Sequence, residues 1–465
     1  MAVRAPLPAL RPAKMAWRTR RPRSAPGPPA RRPAAAARAA LSTAPPEKPK
    51  GADSSRTVVL VAGLAMLVAS ADRTVFSCAQ VPLARELGLD NSALGFIANA
   101  FLLGYGMTQV AGGALADRLG GPKVLVAALG LWSAAMAALP AFAGALHVPR
   151  FVFGAASGVA LPAASATVAA TCAPDRRAAG ISTVFTLFNC GSAVGFLVGG
   201  LLVSGAGWQV AVGSFGAAGL ALAAASALLL SRGGGGGAGE AQAAAEGAPP
   251  ADAGGAAGES GGVGRATLVG QLACMCWVHM AVNWGFFILQ NWLPLYLSKQ
   301  FSLGALSGPG AAVPWGMTAL CTLAAGVAAE RLSDEGWAKA DVRRAMSAVA
   351  TLGPAASMLL LPSVSSAPAA IALLCTTLGL QAFSVSGYHA YVQDVAPGGA
   401  GAVLGLTNTL GVLTGLVGNV VVGRVLDATG SFSLIFYITA AVYASSFAVF
   451  TAFLRGTVIL PAKAS

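Results

Sequence analysis

The stretch TVVLVAGLAMLVASADRTVFSC (57–78) is apolar for most of its length and then sets an acid and a base, Asp72 and Arg73, side by side. A helix needs about 20 mostly apolar residues to cross a bilayer, and this stretch has that length. The two charges therefore fall inside a membrane span. An ionisable side chain there faces a partner or a water-filled cavity, so what surrounds Arg73 is the question the chain poses.

Working outward, similar apolar blocks recur as far as residue 453. The 465 residues are 55% hydrophobic and 10% charged, with mean hydropathy +0.68. Soluble domains carry about 25% charged residues, so the sequence reads as a polytopic membrane protein whose main partner is the lipid bilayer. The net charge of +13 is concentrated: residues 1–50 hold 12 Lys and Arg against the single acid Glu47, and the rest hold 18 basic and 16 acidic residues. That distribution excludes a nucleic-acid surface. The segment 1–50 is Arg- and Ala-rich, broken by proline and almost free of acids, which is the chemistry of a cleaved transit peptide for a plastid or a mitochondrion. All seven cysteines fall in apolar blocks and read as small core residues. Cys274-x-Cys276 lacks the paired polar clusters of a zinc site.

Twelve apolar blocks can be counted, at 57–82, 94–116, 123–143, 148–172, 179–204, 208–231, 266–297, 305–329, 345–362, 367–393, 400–426 and 432–454. Between the sixth and seventh lies a Gly/Ala-rich linker, 232–265, too polar and featureless to bury a core. The expected organisation is a six-helix bundle over 57–231, the linker, a second bundle over 266–456 and a short tail, 457–465. Beyond residue 50, basic residues outside the spans favour the side of the termini by thirteen to three, the bias of the positive-inside rule. The fold class expected is an all-α membrane protein of twelve transmembrane helices in two pseudo-symmetric six-helix bundles, monomeric and without a cofactor. No span holds paired carboxylates, an H-E-x-x-H or a nucleophile elbow, so an enzyme is not expected.

The two halves also echo each other. GGALADRLGGPKVL (112–125) joins the second and third blocks, and AGVAAERLSDEGWAKADVRRAM (325–346) joins the eighth and ninth. The first resembles the loop signature of the major facilitator superfamily. Four further stretches, FLLGYGMTQVAGG (101–113), RFVFGAASGVALPA (150–163), NWGFFILQNWLPLYL (283–297) and SGYHAYVQDVAPGGAGAVLGLTNTLGVLTG (386–415), together resemble the anion transporters that include plastid phosphate carriers, vesicular glutamate carriers and sialin. The last two lie nearest the plastid branch. The resemblance implies a secondary carrier of a small anion, phosphate first, working by alternating access in a chloroplast membrane, inner envelope or thylakoid. An organic anion such as ascorbate or glutamate, or a non-transporting sensor, is the alternative.

On its own Arg73 fits either an interhelical salt bridge or a fixed cation for an anionic substrate; Asp72 lies about 100° away around the helix. The resemblance implies the second role, and it assigns Arg150, which by position alone reads as an interfacial side chain, as the second cation. Tyr105 is a candidate hydroxyl donor. His279 and Asn283 share a helix face, and His279 matches a histidine of the plastid branch. Tyr388 lies in the one polar stretch of the tenth block. Asp117, Arg118 and Lys123 in the first half, with Glu330 and Arg331 in the second, resemble a charge lock that resets during alternating access. Candidate coupling positions, for sodium or a proton, are Asp72 and Ser157; Ser157 stands where the family motif carries a glutamate. Asn408 reads as a core amide bonded to backbone.

Overall fold

The apolar blocks form helices that end at the polar breaks. The computed structural model describes residues 52–172, 177–232, 265–396, 400–453, 456 and 458. The expected transit segment, the interior of the linker, and the tail apart from Val458 lie outside the described residues. The helices are α1 (Ala52–Leu87), α2 (Asn91–Leu119), α3 (Gly121–Ala138), α4 (His147–Thr171), α5 (Arg177–Ala206), α6 (Trp208–Arg232), α7 (Arg265–Phe301), α8 (Ser307–Asp334), α9 (Lys339–Leu360), α10 (Ala367–Val395), α11 (Ala400–Thr429) and α12 (Ser433–Phe453). Among the described residues, eleven of them are long and apolar enough to cross a membrane. The remaining one, α2, is 29 residues long.

Local chemistry sets the helix ends. Asp90 caps α2 by accepting a 2.7 Å hydrogen bond from the Ala93 amide, as N-cap carboxylates do. Between α2 and α3 the chain turns at Gly120, whose φ of +90° suits only a residue without Cβ. Two helices are interrupted. A turn at Val159 breaks α4, and α10 widens into a π-helical turn over Val385–His389.

Helix packing repeats itself between the halves. In the first, α1 packs on α5, α2 on α4 and α3 on α6; in the second, α7 packs on α11, α8 on α10 and α9 on α12. Adding six to each number of the first set gives the second, so the two bundles have the same internal arrangement. Across the halves α5 packs on α8 and α2 on α11, again an exchange of equivalent partners. Lipid offers no hydrophobic drive between helices, so close approach depends on small residues. A Cβ at Gly154 of α4 would collide with the Phe101 carbonyl oxygen of α2, and one at Gly104 of α2 with the Phe151 carbonyl oxygen of α4. This contact brings the Phe101 and Arg150 stretches together.

Call the end where α1 meets α2 and α7 meets α8 the outer end, opposite the basic loops. Polar bonds close the halves there. The Asp427 carboxylate at the end of α11 accepts from the Asn91 amide (3.1 Å), Asn91 Nδ2 (2.6 Å), the Ser92 amide (2.9 Å) and the Ser92 hydroxyl. Lys299 of α7 donates to Asn91 Oδ1 at 3.0 Å. One layer deeper, buried Asn419 accepts from Asn291 Nδ2 and Trp292 Nε1 and donates to Asn99 Oδ1, each at 3.0 Å. Also between the halves, α1 packs on α7, whereas among the described residues α4 and α10 do not form a close pair. The outer end is thus the sealed one.

Candidate functional site

Arg73 and Arg150 occupy the middle of this arrangement. Arg73 is 4% exposed and Arg150 1%, so the snorkelling position that sequence alone suggests for Arg150 is replaced by full burial. Both cations rest on aromatic faces. The Arg73 guanidinium carbon lies 4.6 Å from the Phe101 ring centre, 5.2 Å from Tyr105 and 5.7 Å from Phe188. Arg150 lies 4.0 Å from Phe76, 5.0 Å from the same Phe101 and 5.5 Å from Phe153. Because they share one ring, the two guanidinium carbons are no more than about 10 Å apart, each within the range of a cation–π contact.

Aromatic faces offset only part of the cost of burying these charges, and the ordinary partners are missing. An arginine at the bilayer centre costs at least about 2.5 kcal/mol. Arg73 Nη1 donates a long hydrogen bond to Gln290 Oε1 of α7 at 3.5 Å, the Tyr105 side chain is a second polar neighbour, and Arg73 Nε has no partner. Arg150 has no partner for Nε or Nη1. Among the described residues the ion pairs are Arg343–Asp394 and Arg344–Asp341, and neither involves this pair. Two unneutralised guanidinium groups side by side repel each other, and a tetrahedral or planar anion between them would satisfy both bidentately. Tyr105 and Phe188 are only half-buried, so they form the outer surface of the aromatic box.

Asp72 points elsewhere. Its carboxylate is fully buried against Trp132 of α3, and neither oxygen has a hydrogen bond of ordinary geometry. The neighbouring acid and base are therefore not an ion pair. Ser157 is buried, and its hydroxyl donates to the Gly154 carbonyl of its own helix at 3.2 Å.

The expected residues of the second half form a separate cluster. His279 Nδ1 and the Tyr388 hydroxyl both bond to Thr407 Oγ1, at 2.8 and 2.9 Å, and the His279 ring lies 5.1 Å from Tyr388 and 5.3 Å from His389. Asn283 donates to the His279 carbonyl at 3.0 Å. His279 lies eleven residues before Gln290, about 16 Å along α7. The structure therefore brings Arg73, Arg150 and Tyr105 together and joins His279, Asn283 and Tyr388 in a cluster of their own.

The loop charges are also rearranged. Arg118, Lys123, Glu330 and Arg331 are exposed at helix ends; the Asp117 side chain lies outside the described residues. Among the described residues, the ion pair joining helices near this end is Arg343 Nε to Asp394 at 2.7 Å, reinforced by Arg343 Nη1 to the Ser386 carbonyl at 3.1 Å. It ties α9 to α10 beside the π turn. Asn408 does not bond backbone: its Nδ2 donates to Gln109 Oε1 of the other half at 2.7 Å. Of the seven cysteines, all free, only Cys78 and Cys274 are buried; the others are half-buried. Sequence reasoning missed Gln290, although a polar Gln-Asn pair inside the run FFILQNWLPLYL was a usable signal. It also missed the aromatic box, because only packing brings those rings together.

The sequence model of the Major Facilitator Superfamily matches residues 62–419. "Probable anion transporter 2, chloroplastic" of Oryza sativa subsp. japonica is 31% identical over 431 residues, covering 90% of this chain and 79% of the relative. "Sodium-dependent phosphate transport protein 1, chloroplastic" of Arabidopsis thaliana is 29% identical over 427 residues, covering 87% and 80%. "Ascorbate transporter, chloroplastic" of the same plant is 29% identical over 418 residues, covering 87% and 75%. In three dimensions the chain is similar to a D-xylose-proton symporter, with TM-score 0.65 at 15% identity, over 87% of this chain and 98% of the symporter.

Proposed function

Because the chain belongs to the major facilitator superfamily, among its anion transporters, we propose that it carries inorganic phosphate across a chloroplast membrane by alternating access. The observation that carries this reading is the pair Arg73 and Arg150, buried on α1 and α4 and without a carboxylate partner among the described residues. Fixed cations of this kind are stable in hydrocarbon when an anion visits them, and guanidinium geometry suits phosphate. The names of the chloroplastic relatives support both the anion class and the membrane.

Transport follows from the arrangement of the halves. Arg73 and Arg150 belong to the first half, and Gln290, on α7, belongs to the second. An anion bound between the arginines changes the contacts across the interface, and only a ligand that binds the occluded and open states differently can shift them. Asp72, one residue from Arg73, is the carboxylate we assign to the coupling ion, sodium or a proton. Ser157 cannot take a proton at neutral pH.

Proteoliposomes holding the chain are expected to accumulate labelled phosphate, and Arg73→Ala to abolish the uptake. Applying sodium and pH gradients separately identifies the coupling ion, and Asp72→Asn should remove the dependence on it. Phosphate uptake unchanged in Arg73→Ala refutes the site. Uptake of labelled ascorbate that phosphate does not inhibit would replace phosphate by an organic anion, the reading to which one relative's name points.

A further inference from the structure

Gln290 is the group through which the second half of the chain reaches Arg73. It is fully buried on α7, its Oε1 accepts from Arg73 Nη1 at 3.5 Å, and its Nε2 has no partner. A guanidinium offers donors only, which fixes the amide with oxygen toward Arg73 and NH2 away from it. Arg73 Nε and Arg150 Nε and Nη1 are unpartnered too. Four donor groups on these three residues thus lack acceptors, and a buried donor without an acceptor is destabilising.

A side-chain amide differs from a guanidinium in one respect that matters for selectivity: it both donates and accepts. We propose that Gln290 is a specificity-determining ligand of the transported anion, selecting an oxyanion that still carries a hydroxyl proton. The proposal rests on the reading that the anion binds between Arg73 and Arg150. Near neutral pH phosphate presents both charged oxygens and a P–OH. An oxygen of the first kind accepts from Gln290 Nε2, and the P–OH donates to a lone pair of Oε1. Sulfate has nearly the same size and shape but no proton at that pH, so any oxygen it turns toward Oε1 sets acceptor against acceptor. The arginines cannot make this distinction, because they bind either anion through donors alone. A site built to bond a hydroxyl rejects an analogue lacking it far more strongly than an apolar pocket does.

The test is equilibrium binding of labelled phosphate to the purified full chain, with sulfate as competitor, for the unaltered protein, Gln290→Leu and Arg73→Ala. The unaltered protein should prefer phosphate by at least about 100-fold, within what hydroxyl-reading sites achieve. Gln290→Leu should still bind anions through the arginines, with the preference reduced at least about tenfold toward parity. Arg73→Ala should bind neither. Should the leucine variant not be monodisperse, Gln290→Met, closer in shape, gives the same readout. An unchanged phosphate-to-sulfate ratio in the Gln290 variant, with binding lost in Arg73→Ala, overturns the role of Gln290 alone. Phosphate binding retained in Arg73→Ala, or absent from the unaltered protein, overturns the underlying site and the proposal with it.

Discussion

Removing the Asp427 carboxylate should release the outer end. Asp427 accepts four hydrogen bonds from Asn91 and Ser92, which begin α2 in the other half. Hydrogen bonds to a buried charge are worth about 1.5–3 kcal/mol each, but Asp427 is exposed, and solvent reduces such contacts to about 0.5 kcal/mol each. Four of them give about 2 kcal/mol, and at 1.4 kcal/mol per tenfold the inward–outward equilibrium shifts about thirtyfold. The assay uses Gln80, two turns from Arg73 on the same face of α1 and buried with both amide atoms unpartnered. In a background whose seven cysteines are serine, Gln80→Cys should react slowly with an impermeant maleimide applied at the outer end. Asp427→Ala should raise the rate about thirtyfold, and Asp427→Asn, which keeps one acceptor, should fall between. An equal rate in all three would refute the idea that this cap holds the outer end closed.

Three further outcomes are expected. His279→Ala should leave the KM for phosphate within about twofold while lowering thermal stability by about 1–3 kcal/mol, because it orphans part of the Thr407 cluster; a tenfold rise in KM would return His279 to the binding site. Gly154→Ala should lower the melting temperature and the monodisperse yield, since its Cβ meets the Phe101 backbone rather than a movable side chain; overpacking of this kind costs about 1–3 kcal/mol, and a stable, active variant would contradict the close α2–α4 contact. Arg343→Ala should destabilise the second half by about 1 kcal/mol, an ion pair still in contact with solvent being worth little more; thermal unfolding compared with that of Asp394→Ala and the double variant measures the coupling.

The spans, the two halves and Arg73 were legible in the sequence for a common reason. Apolar runs of bilayer length and the sidedness of basic loops are one-dimensional signals, and a lone cation in such a run needs no neighbour to be noticed. Arg150 was harder. It begins an apolar block, which suggests a headgroup position, but α4 starts at His147 and the glycine contact with α2 carries Arg150 under Phe76 and Phe101. That placement depends on a long-range contact that no local pattern encodes. Gln290 and Asn291 look alike in sequence, yet a 100° step on the helix sends one to Arg73 and the other to Asn419. His279 and Tyr388 stood out as polar residues in apolar blocks, but they satisfy each other through Thr407, a partnership set by tertiary packing. The conspicuous charges Arg118, Lys123, Glu330 and Arg331 proved exposed, while the Arg343–Asp394 pair links residues far apart in sequence.

The proposed transport depends on two guanidinium groups sharing one anion. An experimental structure of the chain in a bilayer mimetic with saturating phosphate tests it most directly. Density for one tetrahedral anion within hydrogen-bond distance of both Arg73 and Arg150 is the predicted result. Phosphate bound elsewhere, or either arginine engaged by a carboxylate of the chain, would contradict it.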